Sequence, residues 1–339
     1  MPTHSREIRL VARPEGVPEP RHFELAEVEV TDPREGEFLV RNLFMSVDPY
    51  MRGRMRDVQS YVPGFELGKV MAGGSVGQVV ASRHPDFAEG DHVVGMEGWR
   101  EHYVSDGTGQ RKIAPGLGAP LSTHLGVLGM PGLTAYVGLL DVGQPKEGET
   151  VFVSAAAGAV GSVVGQIARI KGCRAVGSAG SDLKVAHLVE GLGFDAAFNY
   201  RERDLREALA ETCPDGIDVY FENVGGEMLE AVLVHMRPFG RIPVCGMISQ
   251  YNDTEGAPGP RTLIHIIPKR LRMQGFIVSD HADRMRDFQR DVAAWLREGR
   301  IRYDETIVDG LERAVDAFLG LFEGENTGKM LVRLARQRS

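Results

Sequence analysis

Two textures of apolar and polar positions divide the chain. From Ile8 to about Leu125, short apolar runs are broken by Gly, Pro and Asp, and helical periodicity is nearly absent. Phe23–Val30, Glu37–Leu43, Lys69–Ala81 and Asp91–Gly95 read as closely spaced strands, which predicts a mostly-β domain of the barrel type. Inside it, VDPYMRGRM (Val47 to Met55) reads as a short turn, with Tyr50 buried and Arg52 and Arg54 in solvent. The glycine-punctuated run from Leu125 to Leu140, helix-like from Thr134, and the turn GQPKEGE mark a domain boundary.

From Thr150 the pattern alternates. Thr150–Ala155, Ala175–Ser178, Ala196–Tyr200, Ile217–Phe221, Arg241–Cys245 and Leu271–Val278 read as strands. Helical segments lie between them: one ending at Lys171, one capped by Ser181 and closed by Gly193, DLREALAETC, and EMLEAVLVHMRPFG. The stretch before the sixth strand carries GAPGPR, a stiff loop. Such alternation predicts a parallel sheet with helices on both faces, an α/β doubly wound fold. Ligands of these sheets bind beyond the carboxyl ends of the strands. Asp283–Arg300 reads as an amphipathic helix, Ile301–Val308 as a strand, then a helix to Phe322 and a strand Met330–Leu334. Periodicity alone assigns these last elements to neither domain.

Composition narrows the partners. A chain of 339 residues can hold two domains, and 42% hydrophobic with 25% charged residues is ordinary for a globular protein. The net charge of −8 is spread along the chain, which argues against nucleic acid or an anionic membrane as the main partner. No run reaches the length of a membrane span, and MPTHSREIRL lacks a signal-peptide core. Cys173, Cys213 and Cys245 are odd in number and widely spaced, so the expectation is free thiols in a reducing cytoplasmic compartment.

Candidate chemistry centres on ETVFVSAAAGAVGSVVGQIARIK, Glu149 to Lys171. A β-leaning run, a turn with Gly158 and Gly161 and a helix form the opening of a dinucleotide-binding unit. Glycines let the backbone approach a pyrophosphate, and the helix N-terminus offers N–H groups and a positive dipole end. At the second strand's end, small residues stand where NAD-preferring sites carry an acid. Lys184 lies one turn into the next helix and with the serines suits a 2′-phosphate, which predicts NADPH. Asp182 is the counter-sign, but it sits in a helix's first turn, where acids are common for dipole reasons. The barrel segment has no cysteine and its histidines lack ligand spacing, so no metal is expected.

AAAGAVG (Ala155 to Gly161), DPYMRGRM, GVLGMPGLTAY, ENVGG, IPVCGMIS, RMQGFIV and the closing G-x-N-x-G-K (Gly324 to Lys329) resemble the zinc-independent medium-chain dehydrogenases/reductases. The resemblance is to the leukotriene 12-hydroxydehydrogenase/prostaglandin reductase branch, and is strongest for the bacterial NADPH-dependent curcumin reductase type. It implies a GroES-like barrel made of residues 1–127 and 300–339, an inserted Rossmann domain of 128–299, and a homodimer. It also implies reduction of a carbon–carbon double bond conjugated to a carbonyl. Gly158, Ala159, Val160 and Gly161 would bind the pyrophosphate, and Lys184 with Tyr200 the 2′-phosphate. Asn223, then Cys245, Gly246, Met247, Ile248, Ser249, Gln250 and Tyr251, with Phe276, Ile277, Val278 and Asn326, would line the rest of the cofactor cleft.

Hydride transfer to a β-carbon leaves charge on the carbonyl oxygen and an α-carbon in need of a proton. Tyrosine suits that role because it stays protonated at neutral pH, and Tyr50, Tyr61 and Tyr251 are the candidates. The tyrosine that the eukaryotic relatives carry before their ELRM segment is replaced here by Pro268 or a neighbour. Two rival readings stay open: an NADPH quinone reductase on the same scaffold, and a protein that binds NADPH without turnover.

Overall fold

The computed structural model describes residues 2–114, 119–256 and 258–335; Ala257, inside the GAPGPR stretch, lies outside them. Met1–Leu125, Glu305–Asn326 and Met330–Ser339 form one compact unit, and Gly126–Asp304 with Thr327–Lys329 form a second. Among the described residues no helix is long and apolar enough to cross a membrane.

Among the described residues the central unit is built on six parallel strands. Across the sheet they run Ala196–Asn199, Arg174–Ala179, Thr150–Val153, Ile217–Phe221, Met236–Val244 and Arg272–Gly275. In chain order that is 3-2-1-4-5-6, the doubly wound arrangement of dinucleotide-binding folds, whose direction reverses between Thr150–Val153 and Ile217–Phe221. TVFV and IDVYF are buried at every position, as strands covered on both faces must be. Phe152 stacks between Phe198 and Tyr220 at 5.8 and 5.5 Å, tying three strands into one core.

The chain-end unit is antiparallel. Among the described residues seven strands form one sheet, with Phe38–Ser46 paired to Ser75–Ser82, His102–Ser105 and Lys329–Arg333, and Thr3–Leu10 pairs with Phe23–Val30. Leu10, Met45, Trp99, Phe318 and Val332 share a core. Of the last elements, the helix Met285–Arg297 lies in the central unit, whereas the strand Glu305–Asp309 and the helix Ala314–Glu323, whose apolar face is buried there, belong with the barrel.

Several expectations need correction. Helical spacing through HMRPFG predicts a helix to Gly240, but the helix ends at His235 and Met236–Val244 is a strand. Pro238 cannot donate to a helical ladder, and pairing with Ile217–Phe221 and Arg272–Gly275 favours the strand. The strand expected from Lys69 begins only at Ser75; Val70 and Gly73 make isolated bridges. Thr3–Leu10 was missed because its apolar positions are sparse. The sixth strand is cut to Arg272–Gly275, the strand after Ile301 begins at Glu305, and the amphipathic helix spans Met285–Arg297.

Candidate active site

The glycine turn is held by its own backbone. After Thr150–Val153, Ala155 takes a left-handed φ of 49°, and the Gly158 N–H donates to Ala155 O at 3.0 Å. The helix Gly161–Ile170 then starts at once. A Cβ on Gly161 would stand 2.5 Å from Ala155 O and 2.8 Å from the Cα of Ala156, so only glycine closes this turn. Gly158, Ala159, Val160 and Gly161 thus lie together on the turn that feeds the helix N-terminus. The Gly328 N–H donates to Ala157 O at 2.8 Å and clamps the turn from the other side.

At the reversal point a buried polar network joins the first and fourth strands. The Ser154 hydroxyl accepts from Tyr220 Oη (3.2 Å) and from the Asn223 N–H (3.0 Å) and donates to Glu222 Oε1 (3.2 Å), which uses its full capacity. Glu222 Oε1 also accepts from the N–H groups of Val224 (2.6 Å) and Gly225 (2.9 Å), and Asn223 Nδ2 donates to Ser154 O at 2.8 Å. Burial holds the Glu222 carboxyl above its ordinary range, against these bonds. The turn is tied to the next strand's end by Cys245 N–H to Glu222 O, Ile248 N–H to Asn223 O and Ser249 N–H to Val224 O, at 2.9, 3.1 and 3.1 Å. Asn223 and the segment Cys245–Tyr251 are therefore brought together, with the Tyr251 hydroxyl against Gly246. The Cys245 thiol is pushed up to about 12 by burial and by the charge of Glu222. Phe276 follows the sixth strand and meets Phe221 edge-on at 6.2 Å. Asn326 lies in the chain-end unit, after the helix Ala314–Glu323.

At the end of the second strand, Ser181 caps the helix Asp182–Ala186. A Cβ on Gly180 would lie 3.1 Å from Tyr200 Oη and 3.3 Å from Arg201 Nε, so both side chains reach this point. The Lys184 ammonium is lowered by burial and by the nearby Arg201. Asp182 Oδ1 accepts from Asn199 Nδ2 at 3.0 Å. Sequence reasoning found Lys184 and Tyr200 here and missed Arg201 and Asn199. The signal was available, since both flank Tyr200 at a strand's carboxyl end. Glu222 and Ser154, also missed, stand at strand ends too.

In the chain-end unit, Tyr50 precedes the short helix Met51–Arg54. The Arg54 guanidinium donates to the Tyr50 hydroxyl oxygen, its Nε donates to Pro63 O at 2.9 Å, and it lies 4.1 Å over the Phe65 ring. Burial pushes the Tyr50 phenol up, Asp48 adds to this and Arg54 opposes it. Tyr61, on the loop that Arg54 pins, is 61% exposed and close enough to interact with both. The solvated reading of the arginines is corrected. Arg52 is only 1% exposed, with Nη2 donating to Pro14 O (3.2 Å) and Gly16 O (2.8 Å), and Arg54 is partly buried. Among the described residues no three His, Cys, Asp or Glu side chains gather as metal ligands.

A six-stranded 3-2-1-4-5-6 sheet with a glycine turn on its first strand, joined to an antiparallel barrel unit, defines a two-domain dinucleotide-dependent oxidoreductase architecture. Family models described as the N-terminal domain of oxidoreductase and as zinc-binding dehydrogenase match residues 6–113 and 159–297. The chain is 50% identical over 331 residues to the NADPH-dependent curcumin reductase of Escherichia coli, covering 96% of each chain. It is 49% identical over 303 residues to the 2-alkenal reductase (NADP(+)-dependent) of Nicotiana tabacum, covering 89% of this chain and 88% of that one. The crystal structure of CurA from Vibrio vulnificus in complex with NADPH superposes with a TM-score of 0.93 at 46% identity, over 98% of this chain and 100% of that chain. The chain belongs to the medium-chain dehydrogenases/reductases, in the branch of the curcumin and prostaglandin reductases.

Proposed function

We propose that this protein uses NADPH to reduce a carbon–carbon double bond conjugated to a carbonyl, without a metal. The observation that carries the reading is near-full-length similarity to reductases of curcumin and of 2-alkenals, two substrates that share this enone or enal unit. The geometry agrees with it: a tight turn that admits no Cβ at Gly161 suits a pyrophosphate, and a corner with two cations and a tethered acid suits a 2′-phosphate. When bound, NADPH supplies the hydride that reaches the substrate's β-carbon.

The chain's own residues do the rest. Gly158 to Gly161 receive the pyrophosphate, Lys184 and Tyr200 the 2′-phosphate, and Asn223, Cys245–Tyr251, Phe276–Val278 and Asn326 the remainder of the coenzyme. Tyr50 or Tyr61 supplies the proton, with Tyr251 the third candidate. A guanidinium can only donate, so Arg54 occupies a lone pair of Tyr50 and leaves its O–H to point elsewhere. Because burial raises the Tyr50 phenol, its acid form persists across the physiological range. Turnover that depends on it is flat through neutral pH and falls only as the pH rises through that elevated value.

The test is NADPH oxidation with an enone, a quinone and a ketone, followed by identification of the saturated product. Oxidation by the quinone alone, or by none, overturns the reading. Replacing each tyrosine by phenylalanine should lower kcat about 100-fold at the true donor. Unchanged kcat in all three variants would make solvent the proton source.

We further infer a cytoplasmic homodimer. Three free cysteines fit a reducing compartment. Ile264 and Ile267, the latter 72% exposed, lie in the stretch leading to the sheet's edge strand Arg272–Gly275, a surface suited to a second copy. Light scattering on the purified protein decides the oligomer; a monomer at micromolar concentration refutes it.

A further inference from the structure

The acid at position 182 poses a problem for a coenzyme with a 2′-phosphate. A carboxylate near the second strand's end accepts bonds from ribose hydroxyls in NAD sites and repels an added phosphate. Asp182 stands in that region, in the first turn of a helix that runs on through His187–Gly191, and a place in a first turn does not remove its repulsion of a phosphate.

We propose that Asn199 sets the coenzyme preference from behind the site, by holding the Asp182 carboxylate on its amide while its carbonyl oxygen fixes the backbone of Arg201, a further specificity-determining cation for the 2′-phosphate. Asn199 ends the third strand and is buried at 6% exposure. Its Nδ2 donates to Asp182 Oδ1 at 3.0 Å, and its Oδ1 accepts from the Arg201 N–H at 3.1 Å. One amide therefore performs two opposite electrostatic tasks, drawing the acid in and fixing the backbone that carries a cation. Arg201 Nε and Tyr200 Oη converge over Gly180, and the guanidinium lies 6.0 Å from the Tyr200 ring. Lys184 feels the charge of Arg201, so the two cations share the corner. Arginine adds what lysine cannot, a planar fork that matches phosphate oxygens. Asn199 is a positioning residue in this scheme. It acts on the coenzyme only through Asp182 and Arg201.

The proposal rests on reading Lys184 and Tyr200 as residues of the 2′-phosphate, and the experiment separates the two claims. Dissociation constants of NADPH and NADH, and competition by adenosine 2′-phosphate, are measured on the full-length protein by fluorescence titration. Asn199→Ala should weaken NADPH and adenosine 2′-phosphate about 10-fold while NADH holds or tightens. Adding Asp182→Asn to that variant should recover the part of the loss that comes from the freed carboxylate, which a merely structural defect would not do. Arg201→Gln, a change of an exposed side chain, should weaken NADPH about 10-fold and spare NADH, and it keeps the test alive if Asn199→Ala does not fold. Equal weakening of both coenzymes by Arg201→Gln, or no recovery with Asp182→Asn, overturns the proposal. Lys184→Ala is the control. If it leaves the NADPH-to-NADH ratio unchanged, the phosphate reading itself fails; if it collapses the ratio while Arg201→Gln does not, only the present proposal fails.

Discussion

In the central unit, the groups proposed to meet a dinucleotide are largely backbone. The turn from Ala155 to Gly161 is closed by main-chain bonds, and Asn223 and Val224 are tied to Ile248 and Ser249 by N–H to carbonyl bonds of 3.1 Å. In the chain-end unit, the corner from Val47 to Phe65 depends on side chains: Tyr50, Arg52, Arg54 and Phe65 hold it through a few charged or aromatic contacts. The first kind of site is broken by adding atoms, and the second by removing them. The difference also bears on proton chemistry. A backbone cradle carries fixed dipoles that do not titrate, whereas the tyrosine corner holds a phenol whose proton affinity is set by burial and by Asp48 and Arg54.

The contrast can be broken most sharply at Gly161. Gly161→Val puts a branched side chain where even a Cβ meets Ala155 O at 2.5 Å, and should weaken NADPH on the order of 100-fold by titration. Binding within a few fold of the parent would show that the turn yields and that its glycine is not a steric requirement. Next in size is Arg52→Met, which keeps the volume and strips the donor from the carbonyls of Pro14 and Gly16. A loss of about 2 kcal/mol, read as a lower unfolding midpoint, is expected with little change in coenzyme affinity. A variant as stable as the parent would mean that water replaces the guanidinium without loss.

The smallest effect concerns Glu222, a titratable group inside the backbone-built site. Glu222 is raised above the ordinary 4.5, so the folded state binds its proton more tightly than the unfolded chain does. Its contribution to stability is full below 4.5 and is lost as the pH rises through the raised value. Glu222→Gln keeps an acceptor for Val224, Gly225 and Ser154 and removes the titration. The variant should lie within about 1 kcal/mol of the parent and gain on it as the pH is raised from 4.5 toward neutral. A gap that stays constant with pH would show that the carboxyl's surroundings do not favour its proton.

Legibility followed the same division. Ile217–Phe221 matches its expected bounds, because a short apolar run between turn residues admits few alternatives. The Ser181 cap and the glycine turn were equally plain, since each is a local contract between neighbours. Met236–Val244 was misread as helix because the helical period runs on through its first residues, and only the strands on either side overrule it. Arg52 was misplaced for a related reason. Nothing near it in the chain announces that the carbonyls of Pro14 and Gly16 fold over it.

The sequence by itself determined the alternation of strands and helices, the glycine turn, the cationic Lys184 after the second strand and the tyrosines of DPYM and SYVP. These depend on residue type and short spacing, which the chain carries in its linear order. Only the tertiary structure decided that Asp182 is held by Asn199, that Arg201 joins Lys184, that Glu222 is buried against Ser154 and that Arg54 reaches Tyr50. Each of these is an electrostatic environment. Charge and burial are set by whatever the fold brings within a few ångströms, however far apart it lies along the chain.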